Sequence, residues 1–343
     1  MRKLLLSEKD KFFSAITEKM DLYLPVDTNG GAQFALWKEG TTQSDALNTG
    51  KSPKDFFFPQ TEDLMAFRRE GKKLELVDLR KEKEDFAVFG VRACDVRAFD
   101  ILDNVFLKEP VDTYYQNRRA HGIILSLCCN KPAETCFCNT FGIDPADPKG
   151  DVACFEDKEY LYLQPVTEKG SKFLSQFDGL TEECPETAAD ETKTQTRERM
   201  KKLPFADLKP DAFGGDKTDA YFASPVWIEL SASCLGCGTC TFVCPTCQCY
   251  DIKDVDTGHG VARFRCWDSC MYSEFTKMSA GQPRLTQTER FRQRFMHKLV
   301  YYPANNDGLF SCVGCGRCVA KCPIHMNIVK VMKALQKEGE KHD

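Results

Sequence analysis

The stretch SCLGCGTCTFVCP, residues 233–245, decides the fold, because it returns as SCVGCGRCVAKCP at residues 311–323. In each copy three cysteines are separated by two residues, a fourth follows after three more, and a proline stands directly behind it. These are Cys234, Cys237, Cys240, Cys244 and Pro245, then Cys312, Cys315, Cys318, Cys322 and Pro323. Three thiolates at that pitch wrap one face of an iron–sulfur cubane, while the fourth, carried past a Pro-terminated turn, reaches the neighbouring cluster. The spacing predicts two [4Fe-4S] clusters with crossed ligation: Cys234, Cys237, Cys240 and Cys322 on the first, and Cys312, Cys315, Cys318 and Cys244 on the second. Gly236, Gly238, Gly314 and Gly316 let the backbone approach the inorganic core, and their N–H groups are the expected hydrogen-bond donors to it. Structural zinc also takes four thiolates, but in two pairs, without a third cysteine at the same pitch followed by Cys-Pro.

Working outward, 343 residues are enough for two domains with cores of their own. The 47 basic and 51 acidic residues offer no argument for nucleic acid or an anionic membrane surface. No apolar run approaches the roughly 20 residues of a spanning helix, and MRKLLLSEKDKFF loses its apolar character after three leucines. Nineteen cysteines without a signal peptide imply a reducing cytoplasm, that of an anaerobe.

Before the repeated motif, Ser7 and Asp10 resemble a capping box, and Phe12, Phe13, Ile16 and Met20 share a helical face that Pro25 ends. Phe56–Phe58 reads as an extended packing segment, with a helix starting near Thr61 behind Pro59. Strands are expected over 74–79, 86–91, 123–127 and 160–166, with a helix over 96–107. That alternation gives an α/β-type domain over 1–180. No nucleotide-binding glycine motif occurs in it. The charged stretch 181–202 opens a linker or exposed helix, placed at 181–215. Residues 216–343 then form a helical ferredoxin-like domain with the two clusters, because the gap between motifs is long and its tracts have helical period. The fold class is α+β.

Cys94, Cys129, Cys136 and Cys138 form a looser group. Two strands can present Cys94 and Cys129 at one edge, and Cys136 and Cys138 can turn back to them. A third cluster and a scatter of buried thiols are both open on spacing alone. Cys247, Cys249, Cys266 and Cys270 read as shielding or hydrogen-bonding support for the first cluster, or as ligands of something of their own. Cys128, Cys154 and Cys184 have no ligand spacing. Arg290, Arg292, Arg294, His297 and Lys298 read as a solvated basic face or a docking patch for an acidic partner, and His325, two residues after Pro323, as a surface residue or as one that tunes the second cluster.

The phrases FFFPQTE, FGVRACD, TCFCN, CLGCGTCTFVCPTCQCYDI, WDSC and CVGCGRCVAKCP, in that order, resemble the beta subunit of cytoplasmic sulfhydrogenase and its iron–sulfur counterpart in anaerobic sulfite reductase. They are similar, too, to the iron–sulfur subunits that link flavin diaphorases to heterodisulfide reductase. The resemblance implies a non-catalytic electron-transfer subunit. Its partners would be, on one side, a hydrogenase, sulfite reductase or heterodisulfide reductase subunit and, on the other, a flavin- and NAD(P)-binding diaphorase subunit. Cys94, Cys129, Cys136 and Cys138 fall on the family's motif positions, which favours the third cluster; Cys247, Cys249 and Cys270 do so as well, whereas Cys128 and Cys266 do not. Nothing is carried over onto Pro145–Ser233. The alternative is a self-contained reductase whose substrate meets a cluster or bound flavin in the first domain; a zinc-stabilised interaction module is a third reading.

Overall fold

The runs Phe86–Val91 and Gly122–Leu127 pair in parallel near the middle of an eight-stranded sheet, and every residue of both is buried. Continuous apolar runs are what a strand covered on both faces requires. On one face Ala87, Phe89, Ile123, Leu125 and Leu127 pack with Phe12, Phe13 and Ile16 of the helix Lys9–Thr17. On the other, Phe86, Val88, Val91 and Ile124 pack with Phe57, Phe99 and Leu102. The computed structural model describes residues 1–46, 48–79 and 84–339.

Numbered along the chain, the strands are β1 (Arg2–Leu5), β2 (Asp21–Thr28), β3 (Gly31–Leu36), β4 (Thr61–Glu70), β5 (Lys73–Asp78), β6 (Phe86–Val91), β7 (Gly122–Leu127), β8 (Val152–Glu156), β9 (Tyr160–Pro165), β10 (Glu182–Glu183), β11 (Tyr250–Asp256) and β12 (Gly260–Trp267). The large sheet runs β10-β1-β9-β8-β7-β6-β2-β3. Its centre, β8-β7-β6-β2, is parallel, and its flanks are antiparallel. Helices Ala93–Phe106 and Thr113–His121 make the β6–β7 crossover. A second, antiparallel sheet runs β11-β12-β4-β5 and joins segments almost two hundred residues apart.

Three local expectations are corrected. The segment from Thr61 is a strand, not a helix. Its alternation of exposed Thr61 and Asp63 with buried Glu62 and Leu64 was masked because the inward position at 62 is a carboxylate, ion-paired to Arg118 at 2.7 Å and Arg265 at 2.6 Å. Phe56–Phe58 packs as expected, with Phe57 and Phe58 fully buried, but Lys54–Phe57 is one helical turn. Pro25 ends no helix: the helix stops at Thr17, without a side-chain cap at its start, and Pro25 lies inside β2. The stretch 181–202 contains the helix Asp190–Met200.

Around the repeated motifs the chain is helical. Gln287–Met296 starts on a capping box of Thr286 and Glu289, continues as a π-helical turn at His297–Tyr301, and packs Phe291, Phe295 and Met296 against Ile328, Val331, Met332 and Leu335 of Ile328–Gly339. The mixed helix-and-sheet class is as the sequence implies.

Candidate metal centres

Both motifs adopt one local conformation. Gly236 and Gly314 have φ of 65° and 59°, Gly238 and Gly316 of 71° and 76°, and the last two each open a short helix, Thr239–Phe242 and Arg317–Lys321. A positive φ at both positions suits glycine, and folds each run into a loop whose cysteines share a concave side.

The first loop lines a cavity with Cys234, Cys237 and Cys240, and the thiol that joins them from the other motif is Cys322, together with Met271, Arg294 and Met326. Cys237 is exposed. The Gly236 amide donates to Cys234 Sγ at 3.5 Å, and Cys322 Sγ donates to the Met326 carbonyl at 3.2 Å.

In the second loop burial pushes Cys312 up to about 12, and the neighbouring Cys318 and Cys244 thiols add to the rise. Cys315 is raised chiefly by burial, with Cys244 and Cys318 again contributing, and Cys318 is raised by burial and by Cys244. Cys244 is thus a thiol of the first motif that approaches all three of these cysteines. Gly314 and Gly316 have a role the spacing does not reveal: a Cβ on Gly314 would lie 2.4 Å from the Phe137 carbonyl oxygen, and one on Gly316 2.4 Å from that of Thr135. The second loop is pressed against 135–138, where Phe137 N–H donates to Gly314 O at 2.8 Å.

That contact brings the N-terminal thiols alongside. Cys94 follows β6 and Cys129 follows β7, so both leave the carboxyl end of adjacent parallel strands, where open α/β sheets place their sites. Burial raises Cys138, and Cys129, Cys136 and Cys315 raise it further; burial raises Cys94, as do Asp95, Cys315 and Cys138. The four N-terminal thiols are therefore one group, and Cys315 borders it. Cys128, by contrast, lies 3.3 Å from Thr196 Oγ1, and Cys154 is buried in the sheet core. His325 is exposed.

The expectation of a solvated basic face fails for two of its members. Arg294 and Lys298 are 2% and 3% exposed, and Lys54, which no motif signalled, is 2% exposed. Helical spacing alone cannot tell which face of Gln287–Met296 meets the thiols. Burial opposes each charge. For Arg294, the Cys240, Cys318, Cys247 and Cys244 thiols outweigh it and hold the pKa above its usual value; for Lys298, Cys244 and Cys247 do the same. Lys54 is pulled down to about 8 by burial, against Cys247 and Cys244. Arg294 donates to the Cys240 carbonyl at 3.0 Å, yet its Nε and Nη1 groups have no partner. Buried cations need anionic neighbours. Thiolate-bound iron–sulfur clusters supply them, so these residues fit the cofactor that the cysteine spacing implies. Among the described residues no three His, Cys, Asp or Glu side chains draw together as they would around a single ion. No helix among the described residues is long and apolar enough to cross a membrane.

A family model described as a 4Fe-4S dicluster domain matches residues 233–326. The chain is 32% identical over 329 residues, 94% of each protein, to sulfhydrogenase 2 subunit beta of Pyrococcus furiosus. No solved structure matches it.

Proposed function

Because the chain belongs to the family of the sulfhydrogenase beta subunit and carries a 4Fe-4S dicluster domain, we propose that it relays single electrons between two partners: an oxidoreductase subunit of hydrogenase, sulfite reductase or heterodisulfide reductase type, and a flavin- and NAD(P)-binding diaphorase subunit. The observation that carries this is the cavity in which Cys322 of the second motif joins Cys234, Cys237 and Cys240 of the first. It supports crossed ligation, with Cys244 completing the set of Cys312, Cys315 and Cys318. Cys94, Cys129, Cys136 and Cys138 are the ligands of a third cluster.

When bound, such clusters accept and release one electron at a time. The chain's own residues position and tune them. The Gly236 amide donates toward sulfur, and Arg294 and Lys298 stabilise negative charge from within the protein. Exposed Cys237 sets the first site at the surface, where a partner can reach it. Cys240 next to Cys318, and Cys315 next to Cys94 and Cys138, give the three sites a linear order. No acid–base role is required of a side chain.

The division into a first domain over 1–180, a connection over 181–215 and a dicluster domain over 216–343 is part of the same reading, as is a reducing cytoplasm. The deciding experiment is anaerobic isolation of the chain with iron and acid-labile sulfide analysis: about eight irons accompany the two motifs, and about twelve if the N-terminal thiols hold a third cluster. Absence of sulfide would defeat the proposal. A tightly bound flavin, or NAD(P)H turnover by the chain alone, would replace it with the self-contained reductase.

A further inference from the structure

The stretch Asn48–Gly50 holds no cysteine and belongs to no motif, yet it lies across the junction between the second motif and the N-terminal thiols. Arg317, between Cys315 and Cys318, donates through Nε to the Thr49 carbonyl at 2.9 Å and through Nη2 to Thr49 Oγ1 at 3.2 Å. Thr49 is 2% exposed, and the Gly50 amide donates to the Ala32 carbonyl of β3 at 2.8 Å. With the two residues behind it held in this way, Asn48 carries its carboxamide into the junction. Its Nδ2 donates to the Cys315 carbonyl at 2.6 Å and stands 4.0 Å from Cys136 Sγ, within reach of an N–H···S contact.

What the carboxamide faces sets its orientation. The Cys315 carbonyl only accepts, so the side chain turns its NH₂ group and not its oxygen toward it. Oδ1 is left buried and has no hydrogen-bond partner among the described residues. A buried acceptor without a partner is unfavourable, so the position uses the donors of asparagine at the expense of its acceptor. Cys136 Sγ lies 3.9 Å from the same carbonyl and, as a thiol, donates toward it. Ligation removes that proton. The Cys136 sulfur and the Cys315 carbonyl are then two acceptors side by side, and the one group facing both, among the contacts above, is an NH₂ with two protons to give. Hydrogen bonds to ligand sulfur are among the factors that set a cluster's potential.

We propose that Asn48 is a tuning residue of the relay. One of its N–H groups holds the Cys315 carbonyl of the second motif. The other donates to the Cys136 sulfur of the N-terminal cluster and raises that cluster's reduction potential, which favours passage of an electron onto it from the second site. Asn48 acts through Cys136 and Cys315 and ligates nothing itself. The inference rests on the third-cluster reading.

The test is a redox titration followed by electron paramagnetic resonance on the anaerobically prepared full chain and its Asn48→Leu variant, which keeps the side chain's size and removes both donors. Iron and acid-labile sulfide are measured alongside, and the signal missing from Cys94→Ser identifies the N-terminal cluster. The expected result is unchanged iron and sulfide, with the midpoint of the N-terminal cluster moved to lower potential and moved further than that of either motif cluster. No shift, a rise, or a shift confined to the motif clusters would overturn the proposal. Should Asn48→Leu lose iron or fail to fold, Asn48→Asp, which keeps the shape and brings a negative charge, is read the same way. Loss of the N-terminal cluster from both variants would make Asn48 a structural support and overturn its tuning role. A wild-type chain with about eight irons would instead defeat the third-cluster reading, and this inference with it.

Discussion

Asp95 and Arg317, 222 residues apart, form a two-pronged ion pair, Nη1 to Oδ1 at 2.6 Å and Nη2 to Oδ2 at 2.8 Å, with side chains only 1% and 2% exposed. Asp95 follows Cys94, and Arg317 stands between Cys315 and Cys318. The pair thus fastens the N-terminal thiol group to the second motif. Arg317 also donates to the Thr49 carbonyl at 2.9 Å. Arg317→Met should leave the Asp95 carboxylate buried and alone, at a cost of about 3–5 kcal/mol, whereas Asp95→Leu/Arg317→Met should recover much of that. Anaerobic denaturant titration measures both; a single variant losing under about 1 kcal/mol would show that the pair is not what joins the two segments.

Gly314→Ala combines a φ of 59° with a Cβ placed 2.4 Å from the Phe137 carbonyl. Gly236→Ala meets similar backbone strain, φ 65°, but its nearest neighbour is the flexible end of Gln287 at 3.6 Å. Strain alone costs about 1–2 kcal/mol, so the first variant should lose distinctly more stability than the second. Equal losses would mean that the 135–138 loop yields freely.

Cys322→Ser should damage the cluster anchored by Cys234, Cys237 and Cys240, since Cys322 lines their cavity. Spectra of the two motif clusters, assigned with Cys315→Ser as the reference variant, decide the matter. Loss of the signal tied to Cys312 and Cys315 instead would refute crossed ligation.

Removing a buried positive charge makes a nearby cluster harder to reduce. Arg294 acts on Cys240 and Cys318, one thiol from each motif. At an effective dielectric near 20, one charge about 8 Å away is worth about 2 kcal/mol, on the order of 100 mV for one electron. Arg294→Met should therefore lower the potential of the motif clusters by roughly this amount in a redox titration. A rise, or no shift, would contradict the role assigned to it.

Burial, followed by the charges of Lys298 and Arg284, lowers His297 to about 4 from 6.5. The folded chain then binds fewer protons here than the unfolded one between those values, so this group's contribution to stability is lost as pH falls from 6.5 toward 4. His297→Gln should flatten the stability profile in that window and leave it unchanged above pH 7. Parallel profiles for the two chains would show that His297 is protonated freely in the fold.

The cysteine spacing was sufficient to reveal the cluster motifs, because a cubane's ligands lie mostly within one short loop and the loop's geometry is local. The buried strands Phe86–Val91 and Gly122–Leu127 were legible for a similar reason: burial on both faces leaves an uninterrupted apolar run. The strand at Thr61–Glu70 was not, since its ladder partner lies at Gly260–Trp267 and its inward Glu62 is neutralised by arginines remote in sequence.

By itself the sequence determined that the chain carries a 4Fe-4S dicluster domain and a mixed helix-and-sheet body. Only the tertiary structure decided that Gly314 and Gly316 make room for another loop, that Lys54, Arg294 and Lys298 turn inward, and that Asn48 meets Cys315 and Cys136. Ligand spacing is written in consecutive residues. Charge compensation inside a protein depends on which distant side chains share a space from which water is excluded, and no short stretch of sequence records that.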